Sequence, residues 1–321
     1  MLKWELKKIR KEKVIFAILV ILILNISVIT FLKLDYNDEK EKKEYDTNRD
    51  SLKEISSLKK DKERDRSLNV LAEAAGDKLE KDRTDLYENI DFYRVFHFRI
   101  GNLLVNASMV IIIIIIFSQI YIYERNSKVD RMIFSSKNKF RVLYSKLGLT
   151  FLIPTGIYAF YILVIGVITV LQYGPPKGGK LQAYRMVEMP LLLKGSPTIQ
   201  QYVFATGMTL VGMYILLAVY ASVCSALSRS LTGSIAGSSM ILFLFKVMTG
   251  LKFLPEEFMN VLKNINFVDI FANPQILVGM EKGCLTVLNS HLDLHYICYM
   301  VLFALLVLGI LIHVYLFQKR I

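Results

Sequence analysis

Six long runs of apolar residues alternate with charged segments along this chain. They cover residues 14–32, 103–123, 147–171, 202–225, 231–251 and 297–317. Each run has about 18 residues or more, and at about 1.5 Å per residue a helix of that length crosses a hydrocarbon core of about 30 Å. Because lipid offers no hydrogen-bonding partner to the backbone, we expect every run to be helical. The pattern predicts an all-α polytopic membrane protein with six transmembrane helices.

Two segments outside these runs carry helical patterns of their own. Residues 1–13 mix Trp4 and aliphatic residues with Lys and Arg, which predicts an N-terminal interfacial helix ahead of an uncleaved first span. Residues 33–102 form a densely charged insert with a thin apolar stripe, which predicts a helical hairpin that extends the first two spans. The stripe consists of Leu52, Ile55, Leu68, Leu71, Ala75, Leu79, Leu86 and Ile90. A partly disordered loop is the alternative for this insert.

Two later segments differ in character. Residues 172–201 are rich in Gly and Pro, which is typical of a loop. Residues 252–296 are apolar but broken by Pro255, Pro274 and Gly279. Such pieces are too short to span a bilayer and too apolar for a solvated loop, so they predict short re-entrant helices before the last span.

The distribution of Lys and Arg predicts the orientation. Residues 1–13 contain six of them and residues 124–146 contain seven, whereas the longer segments 172–201 and 252–296 contain four and three. Basic residues in short segments favour the cytoplasmic side. We therefore expect a multi-pass protein of a bacterial cell membrane with both termini cytoplasmic and an extracellular insert.

Composition limits the function classes. The 321-residue chain is 54% hydrophobic and carries a net charge of +12. The excess positive charge lies beside the spans, where anionic lipid headgroups explain it, so we expect membrane lipids and no nucleic acid as partners. Cys224, Cys284 and Cys298 do not have the spacing of a disulfide framework or a metal site.

Motifs of enzyme chemistry are weak. Residues 174–180 match GxxxxGK, but Leu181 stands where a phosphate-binding loop needs Ser or Thr for magnesium. His291 and His295 have the i, i+4 spacing of helical metal ligands without an evident third ligand. We predict no catalytic, cofactor-binding or metal site on this chain, and no enzymatic activity. A proton-coupled carrier is disfavoured because Lys246 and His313 are the few ionisable residues within spans, and both lie toward span ends.

Span five begins with small residues. Gly233 and Gly237 form a GxxxG pair, with serines at four-residue spacing beside it. Such a stripe lets two helices approach closely, either within the bundle or across a dimer. Both interpretations remain open from the sequence.

The segment 124–146 carries the most informative pattern. It reads ERNSKVDRMIFSSKNKFRVLYSK and combines seven basic residues with apolar residues at helical spacing. The apolar set is Val129, Met132, Ile133, Phe140, Leu143 and Tyr144. A basic amphipathic segment between two spans lies on the cytoplasmic surface, with its apolar face toward the bilayer. It either fixes topology or presents a helix to a soluble partner.

This architecture resembles that of the ABC-2 type permeases, the membrane subunits of exporters for bacitracin, sodium or peptide toxins. In that family an acidic residue ends span two, and a Gly-containing turn, a cytoplasmic coupling helix and a basic run follow. Glu124 matches the acid, residues 129–134 the coupling helix, and Arg141 with Lys146 the basic end. Ser127 and Lys128 stand where the family has its turn glycine. The resemblance covers the chain apart from the insert.

The resemblance implies a permease subunit of an ABC exporter that moves an amphipathic or hydrophobic peptide, toxin or antibiotic outward. A cytoplasmic ABC ATPase dimer would supply the energy and carry the ATP and magnesium, and a second permease chain would complete a homo- or heterodimer. Glu124, Arg125 and Asp130 would contact the ATPase, while Val129, Ile133 and Phe134 would hold the coupling helix. The alternative is a non-ABC carrier, or a membrane scaffold or sensor whose extracellular insert binds a ligand.

Overall fold

The computed structural model describes most of the chain. The described residues are 13–31, 38–58, 66–82, 84, 86–135, 139–187, 189–250, 255–280, 284–287 and 290–319. The interfacial helix expected over residues 1–13 lies outside them, except for Lys13, which begins the first helix.

The described chain is almost entirely helical. In chain order the helices are α1 (Lys13–Phe31), α2 (Asp38–Ser57), α3 (Arg66–Glu80), α4 (Asp91–Ile100), α5 (Leu103–Gln119), α6 (Ile122–Asn126), α7 (Val129–Ser135), α8 (Lys139–Tyr173), α9 (Ile199–Leu227), α10 (Leu231–Met248), α11 (Glu256–Asn264), α12 (Phe267–Ala272), α13 (Gln275–Val278) and α14 (Leu294–Lys319). A small antiparallel hairpin, β1 (Cys284–Val287) and β2 (Ser290–Asp293), precedes α14.

The prediction of a helical membrane protein is confirmed at this level. Within the described residues, five helical segments are long and apolar enough to cross a membrane. They are Asp91–Asn126, Lys139–Tyr173, Ile199–Leu227, Leu231–Met248 and Leu294–Lys319. The first apolar run forms α1, a 19-residue helix that extends about 28 Å at 1.5 Å per residue.

Helix α9 lies at the centre of the bundle and contacts α5, α8, α10 and α14. Its sequence explains this position, because apolar and small residues occur on every side of it and it carries no Asp, Glu, Lys or Arg. Leu210, Tyr214, Leu217 and Ala221 are buried along its length. Thr198 begins the helix with a capping box, in which its hydroxyl accepts from the backbone N–H of Gln201.

The second span has an elbow at its start. Helix α4 ends at Ile100, and Asn102 caps α5 by accepting a hydrogen bond from the backbone N–H of Leu104 at 3.0 Å. Phe92, Val95 and Ile100 of α4 are buried against the bundle. The insert predicted over residues 33–102 therefore ends in a helix that belongs to the membrane part of the fold.

The insert contains the expected pair of helices. α2 and α3 pack against each other and against the segment before α9. Leu52 and Ala75 of the apolar stripe are buried with Tyr184 and Leu193 in a small separate core. Leu71 on α3 and Leu86, which lies beyond the end of α3, are exposed.

Residues 252–296 contain three short helices, α11 to α13, and also the hairpin β1–β2, which the sequence pattern did not predict. The strands cover residues 284–287 and 290–293 and were not part of the prediction of short re-entrant helices for this segment. Four-residue strands lie below the length at which periodicity separates a strand from a turn of helix.

The connecting segments meet at two opposite ends of the bundle. At one end, Leu193 bridges to Met280 and the side chain of Lys194 pairs with Asp293, which joins residues 172–201 to residues 252–296. The end of α1 lies there too, because the Gln172 amide donates to the carbonyl of Thr30 at 3.4 Å. At the other end, Arg125 reaches the turn between α9 and α10.

Candidate functional site

The segment predicted as a coupling loop folds as α6, α7 and the first turns of α8. Lys128 separates α6 from α7 and has a φ of 56°. This left-handed conformation favours glycine, and a residue with a Cβ pays about 1–2 kcal/mol to adopt it. The turn therefore has the geometry of a glycine turn although Lys occupies the position.

The two ends of this loop are joined by an ion pair inside the protein. Glu124 Oε2 lies 2.8 Å from Lys146 Nζ, and both side chains are almost completely buried. The Lys146 ammonium also donates to the carbonyl of Ile120 at 2.8 Å, and it lies 4.2 Å from the ring centroid of Tyr121. Burial makes such a pair expensive to break, because either group alone would be an uncompensated charge.

Tyr121 extends this network to two other spans. Its hydroxyl lies 2.5 Å from His313 Nε2 on α14, and its backbone N–H donates to Ser225 Oγ on α9 at 3.1 Å. The loop is thereby tied to the central helix and to the last helix. Movement of the loop must be transmitted to both of them or must break these contacts.

Arg125 makes the third attachment. Its guanidinium donates to the carbonyl of Ala226 at 3.2 Å and also to the carbonyl of Ser228. These carbonyls lie at the C-terminal end of α9, where a cation is favoured by the helix dipole and by the unpaired carbonyl groups. We call the set Tyr121, Glu124, Arg125, Lys146 and His313 the buried anchor.

The predicted coupling residues have different positions. Glu124 is 4% exposed, so its carboxylate holds the loop in place and offers no surface to a partner in this conformation. Arg125, Val129 and Asp130 are half-buried, and Ile133 is buried. The side chain of Phe134 lies outside the described residues. The sequence alone predicted Glu124 at the surface, because it does not reveal that Lys146, 22 positions later, forms an ion pair with Glu124.

The apolar residues of the loop do not share one face. Ile133 and Leu143 are buried, whereas Met132 is 72% and Tyr144 is 68% exposed. Met132 and Ile133 are neighbours on α7, and Leu143 and Tyr144 are neighbours on α8, so the two side chains of each pair point about 100° apart and cannot lie on one face. The outcome is a short helix with one side packed and one side open.

The small residues of span five pack within the chain. A Cβ added at Gly237 would lie 3.4 Å from Cys224 Sγ on α9, and one added at Gly233 would lie 3.1 Å from Ser230 Oγ. Ser238 is also buried. The geometry gives Gly237 a role in the α9–α10 contact. The predicted dimer role of Gly233 and Gly237 stays untested.

A second polar network lies in the half of the bundle away from the loop. Arg99 is 1% exposed and donates to Thr169 Oγ1 at 2.7 Å and to Gln172 Oε1 at 2.5 Å. Tyr161 donates to the carbonyl of Arg99 at 2.8 Å. This buried arginine is absent from the sequence-based predictions, because residues 33–102 were expected to form an extracellular insert. The apolar stretch DFYRVFHFRI around it was the available signal.

Ion pairs fasten the insert to the bundle. Arg94 lies 2.6 Å from Glu41 Oε2 and Arg185 lies 2.8 Å from Asp82 Oδ2, with all four side chains mostly buried. Tyr87 donates to Glu41 at 3.1 Å. Burial raises the pKa of Glu41 above its usual range, and this effect exceeds the lowering by the Arg94 guanidinium.

A polar pocket of about 420 Å³ lies beside these pairs. Asn48 comes from the insert, Arg94 and His97 from α4, Met186 from the segment before α9 and Gln275 from α13. The pocket is half open, and its walls come from four segments that are distant in sequence. It could receive a small polar ligand.

The proposed histidine pair does not have helical geometry. His291 lies on β2 and His295 on α14, so the two do not stand one turn apart on one helix. In the part of the chain that the structure describes, no group of three or more His, Cys, Asp or Glu residues could hold a metal ion.

A scan against models of known protein families, a search of curated proteins and a search of solved structures each found no match to this chain.

Proposed function

We propose that this chain is the permease subunit of an ATP-driven exporter with six transmembrane helices and both termini cytoplasmic. In this proposal α1 is the sixth span, because it has 19 residues and its end at Thr30 accepts a hydrogen bond from Gln172. Six spans of alternating direction leave residues 33–102, 172–201 and 252–296 at one end. The contacts among these segments support that arrangement.

The buried anchor carries the proposal. A loop that only fixes topology needs basic residues near headgroups and no buried ion pair, since surface charges suffice. Here Glu124 and Lys146 close the loop, and Arg125 and Tyr121 join it to α9 and α14. A push on α7 would therefore reach the central helix of the bundle as a displacement, because packed elements transmit strain.

Helix α7 has the features of a contact surface. It is seven residues long, Ile133 fixes one side of it, and Met132 is open on another. An ATPase dimer that binds ATP and magnesium would press on this helix when it closes. Two permease chains would then rearrange and move an amphipathic or hydrophobic substrate outward, as the resemblance to ABC-2 permeases implies.

Charge reversal at Asp130, which is not one of the residues of the buried anchor, tests the contact. Asp130 lies in the first turn of α7 and is half-buried. We expect Asp130→Arg to reduce co-purification of a cytoplasmic ATPase and export of amphipathic peptides, and Asp130→Asn to reduce them less. Thermal unfolding of both variants checks that the fold is intact. Association and export at wild-type levels in a folded Asp130→Arg protein would refute the proposed contact.

The polar pocket supports a second candidate, a membrane sensor whose insert binds a ligand. In this case a small polar molecule would occupy the space between Asn48, Arg94 and Gln275. Isothermal titration calorimetry with candidate peptides and sugars, on the wild type and on Asn48→Trp, distinguishes a sensor from an exporter. Binding abolished by Asn48→Trp, in a preparation that contains no ATPase, would favour the sensor.

A further inference from the structure

An apolar groove of about 300 Å³ opens between the central helix α9 and the last helix α14. Its floor consists of Met213, Leu216 and Leu277, which are 2%, 3% and 0% exposed. Its rim includes Met208 and Phe303, which are 54% and 67% exposed. The groove thus has a buried floor and an opening at its exposed rim.

Gly212 creates part of this space. It lines the groove, and a Cβ added there would meet no atom within 4 Å. A larger residue at this position would extend into the groove without displacing the backbone of a neighbouring helix. The absence of a side chain in the middle of an apolar helix is what leaves the groove open.

The surroundings decide what can fill the groove. α9 and α14 are both long and apolar enough to cross a membrane, so the opening faces hydrocarbon. Among the described residues that line it, only Thr209 and Tyr299 carry a polar side-chain group, and these two hydroxyls bond each other at 3.0 Å. Water would find few partners there, and an ordered water needs two to four.

The dimensions suit a hydrocarbon chain. A dry apolar cavity of about 150 Å³ already binds a molecule such as benzene. Each methylene removed from water contributes about 0.8 kcal/mol. A lipid chain in a bilayer is already out of water, so its preference for the groove comes from closer packing than neighbouring lipid provides. A deep groove supplies that packing on three sides of a chain.

The polar groups at the outer end of the groove fit a membrane interface. The ring of His295 lies 5.0 Å from that of Tyr299, and Lys194 pairs with Asp293 beside Tyr296. Aromatic and basic side chains concentrate at the headgroup level. The Lys194–Asp293 pair is neutral as a unit, so selection rests on the chain and not on an anionic headgroup.

We propose that this groove binds one acyl chain of a bilayer lipid, with the lipid headgroup near His295 and Lys194. The lipid is a structural ligand of α9 and α14, held more tightly than the lipids that surround the other spans. The assignment does not depend on the proposed transport function. The same site would exist in a carrier or a sensor.

Lipid retention on the purified protein tests this proposal. The full chain is purified in a mild detergent, and bound phospholipid is counted by native mass spectrometry after stepwise collisional activation. We expect wild-type protein to retain one lipid at activation energies that remove the others. Gly212→Ala should weaken this retention and Gly212→Leu should abolish it.

Gly156→Leu is the matched control. Gly156 lies on α8, and a Cβ added there also meets no atom within 4 Å, but the residue does not line the groove. We expect Gly156→Leu to retain the lipid and all three variants to remain folded by size-exclusion chromatography. Equal retention in Gly212→Leu and wild type would overturn the proposal, as would recovery of a non-lipid molecule from the groove. If Gly212→Leu does not fold, equal retention in Gly212→Ala and wild type overturns it.

Discussion

Glu124 and Lys146 are the residues whose chemistry most constrains the loop. The pair is buried and hydrogen-bonded, so removal of one partner leaves a charge without compensation. We expect Lys146→Met to lower the free energy of unfolding by about 3–5 kcal/mol, and Glu124→Gln by a similar or smaller amount. The double variant should recover part of the loss. A thermal or chemical unfolding series in detergent gives the coupling energy by a double-mutant cycle.

An exposed ion pair provides the control for that cycle. Lys53 and Asp50 lie 3.8 Å apart on α2 with side chains 52% and 76% exposed. Neutralising either should change stability by less than about 1 kcal/mol, because water screens the pair. If the buried pair behaved like this exposed pair, the loop would lack the rigid attachment on which the proposed coupling depends.

Lys128 gives a second prediction, in the opposite direction. Its φ of 56° strains a residue with a Cβ, so Lys128→Gly should raise the free energy of unfolding by up to about 1 kcal/mol. Lys128→Ala removes the same charge and keeps the strain. Ser127→Gly changes the neighbouring residue, whose φ is −83°, and should not raise the free energy of unfolding. A rise in melting temperature for all three variants, or for none, would contradict this account of the turn.

Glu41 makes the attachment of the insert depend on pH. Its pKa is raised in the folded protein by burial, with Arg94, Asp91 and Tyr87 as the groups that face it. The folded state therefore binds the proton more tightly than the unfolded state does. The resulting stability is complete below the ordinary glutamate pKa of 4.5 and is lost as pH rises through the raised pKa. The insert should be held more firmly at mildly acidic pH than at alkaline pH.

Hydrogen exchange of α2, corrected for the intrinsic rate at each pH, measures this effect. We expect protection to fall between acidic and alkaline pH in the wild type and to stay constant in Glu41→Gln, which is permanently neutral. Glu44, an exposed residue one turn away, supplies the control variant Glu44→Gln, which should retain the wild-type dependence. An unchanged pH dependence in Glu41→Gln would assign the titration to another group.

At the scale of the element, the sequence predicts long apolar helices well and their contacts poorly. Hydropathy alone locates α5, α8, α9, α10 and α14, because a span must be continuous and apolar. The hairpin β1–β2 depends on backbone pairing between two strands, and the elbow at Asn102 depends on one side-chain cap; hydrophobic periodicity records neither. The prediction that Met132 and Ile133 share one apolar face also fails, since neighbouring residues of a helix point about 100° apart.

The candidate site shows the same division. The sequence identifies the loop through its basic and apolar pattern, and the structure has a short helix, α7, within it. The anchor could not be predicted, because Tyr121 contacts His313 across 192 positions and Arg125 contacts Ala226 across 101. Contacts of such separation follow from the packing of whole spans and not from local propensity.

Ion pairs attach the insert to α4 and to the segment before α9. Arg94 on α4 pairs with Glu41 on α2, and Arg185 pairs with Asp82 after α3. We expect Arg94→Met to increase protease cleavage within residues 38–82 while the spans remain folded, since Glu41 would lose its partner. Cleavage at the wild-type rate would show that apolar contacts at Leu52 and Tyr184 hold the insert without the ion pair.

At the scale of the whole molecule, two polar ends are connected by one central helix. α9 starts at Thr198 and ends at the carbonyls that receive Arg125. The polar pocket, the apolar groove and the buried anchor all lie against it or its neighbours. A displacement at one end has a rigid, buried route to the other, which is the property an energy-coupled exporter requires.

ATP turnover by the native complex tests whether this chain is the permease subunit of an ATP-driven exporter. The full chain is tagged in its own host, solubilised gently and purified, and ATP hydrolysis is measured together with the identity of every co-purifying protein. We expect a cytoplasmic ATPase to co-purify in stoichiometric amount. Its ATP turnover should fall in Asp130→Arg and in Lys146→Met but not in Gly156→Leu. Purified chain without an ATPase partner, or turnover indifferent to Asp130 and Lys146, would contradict it.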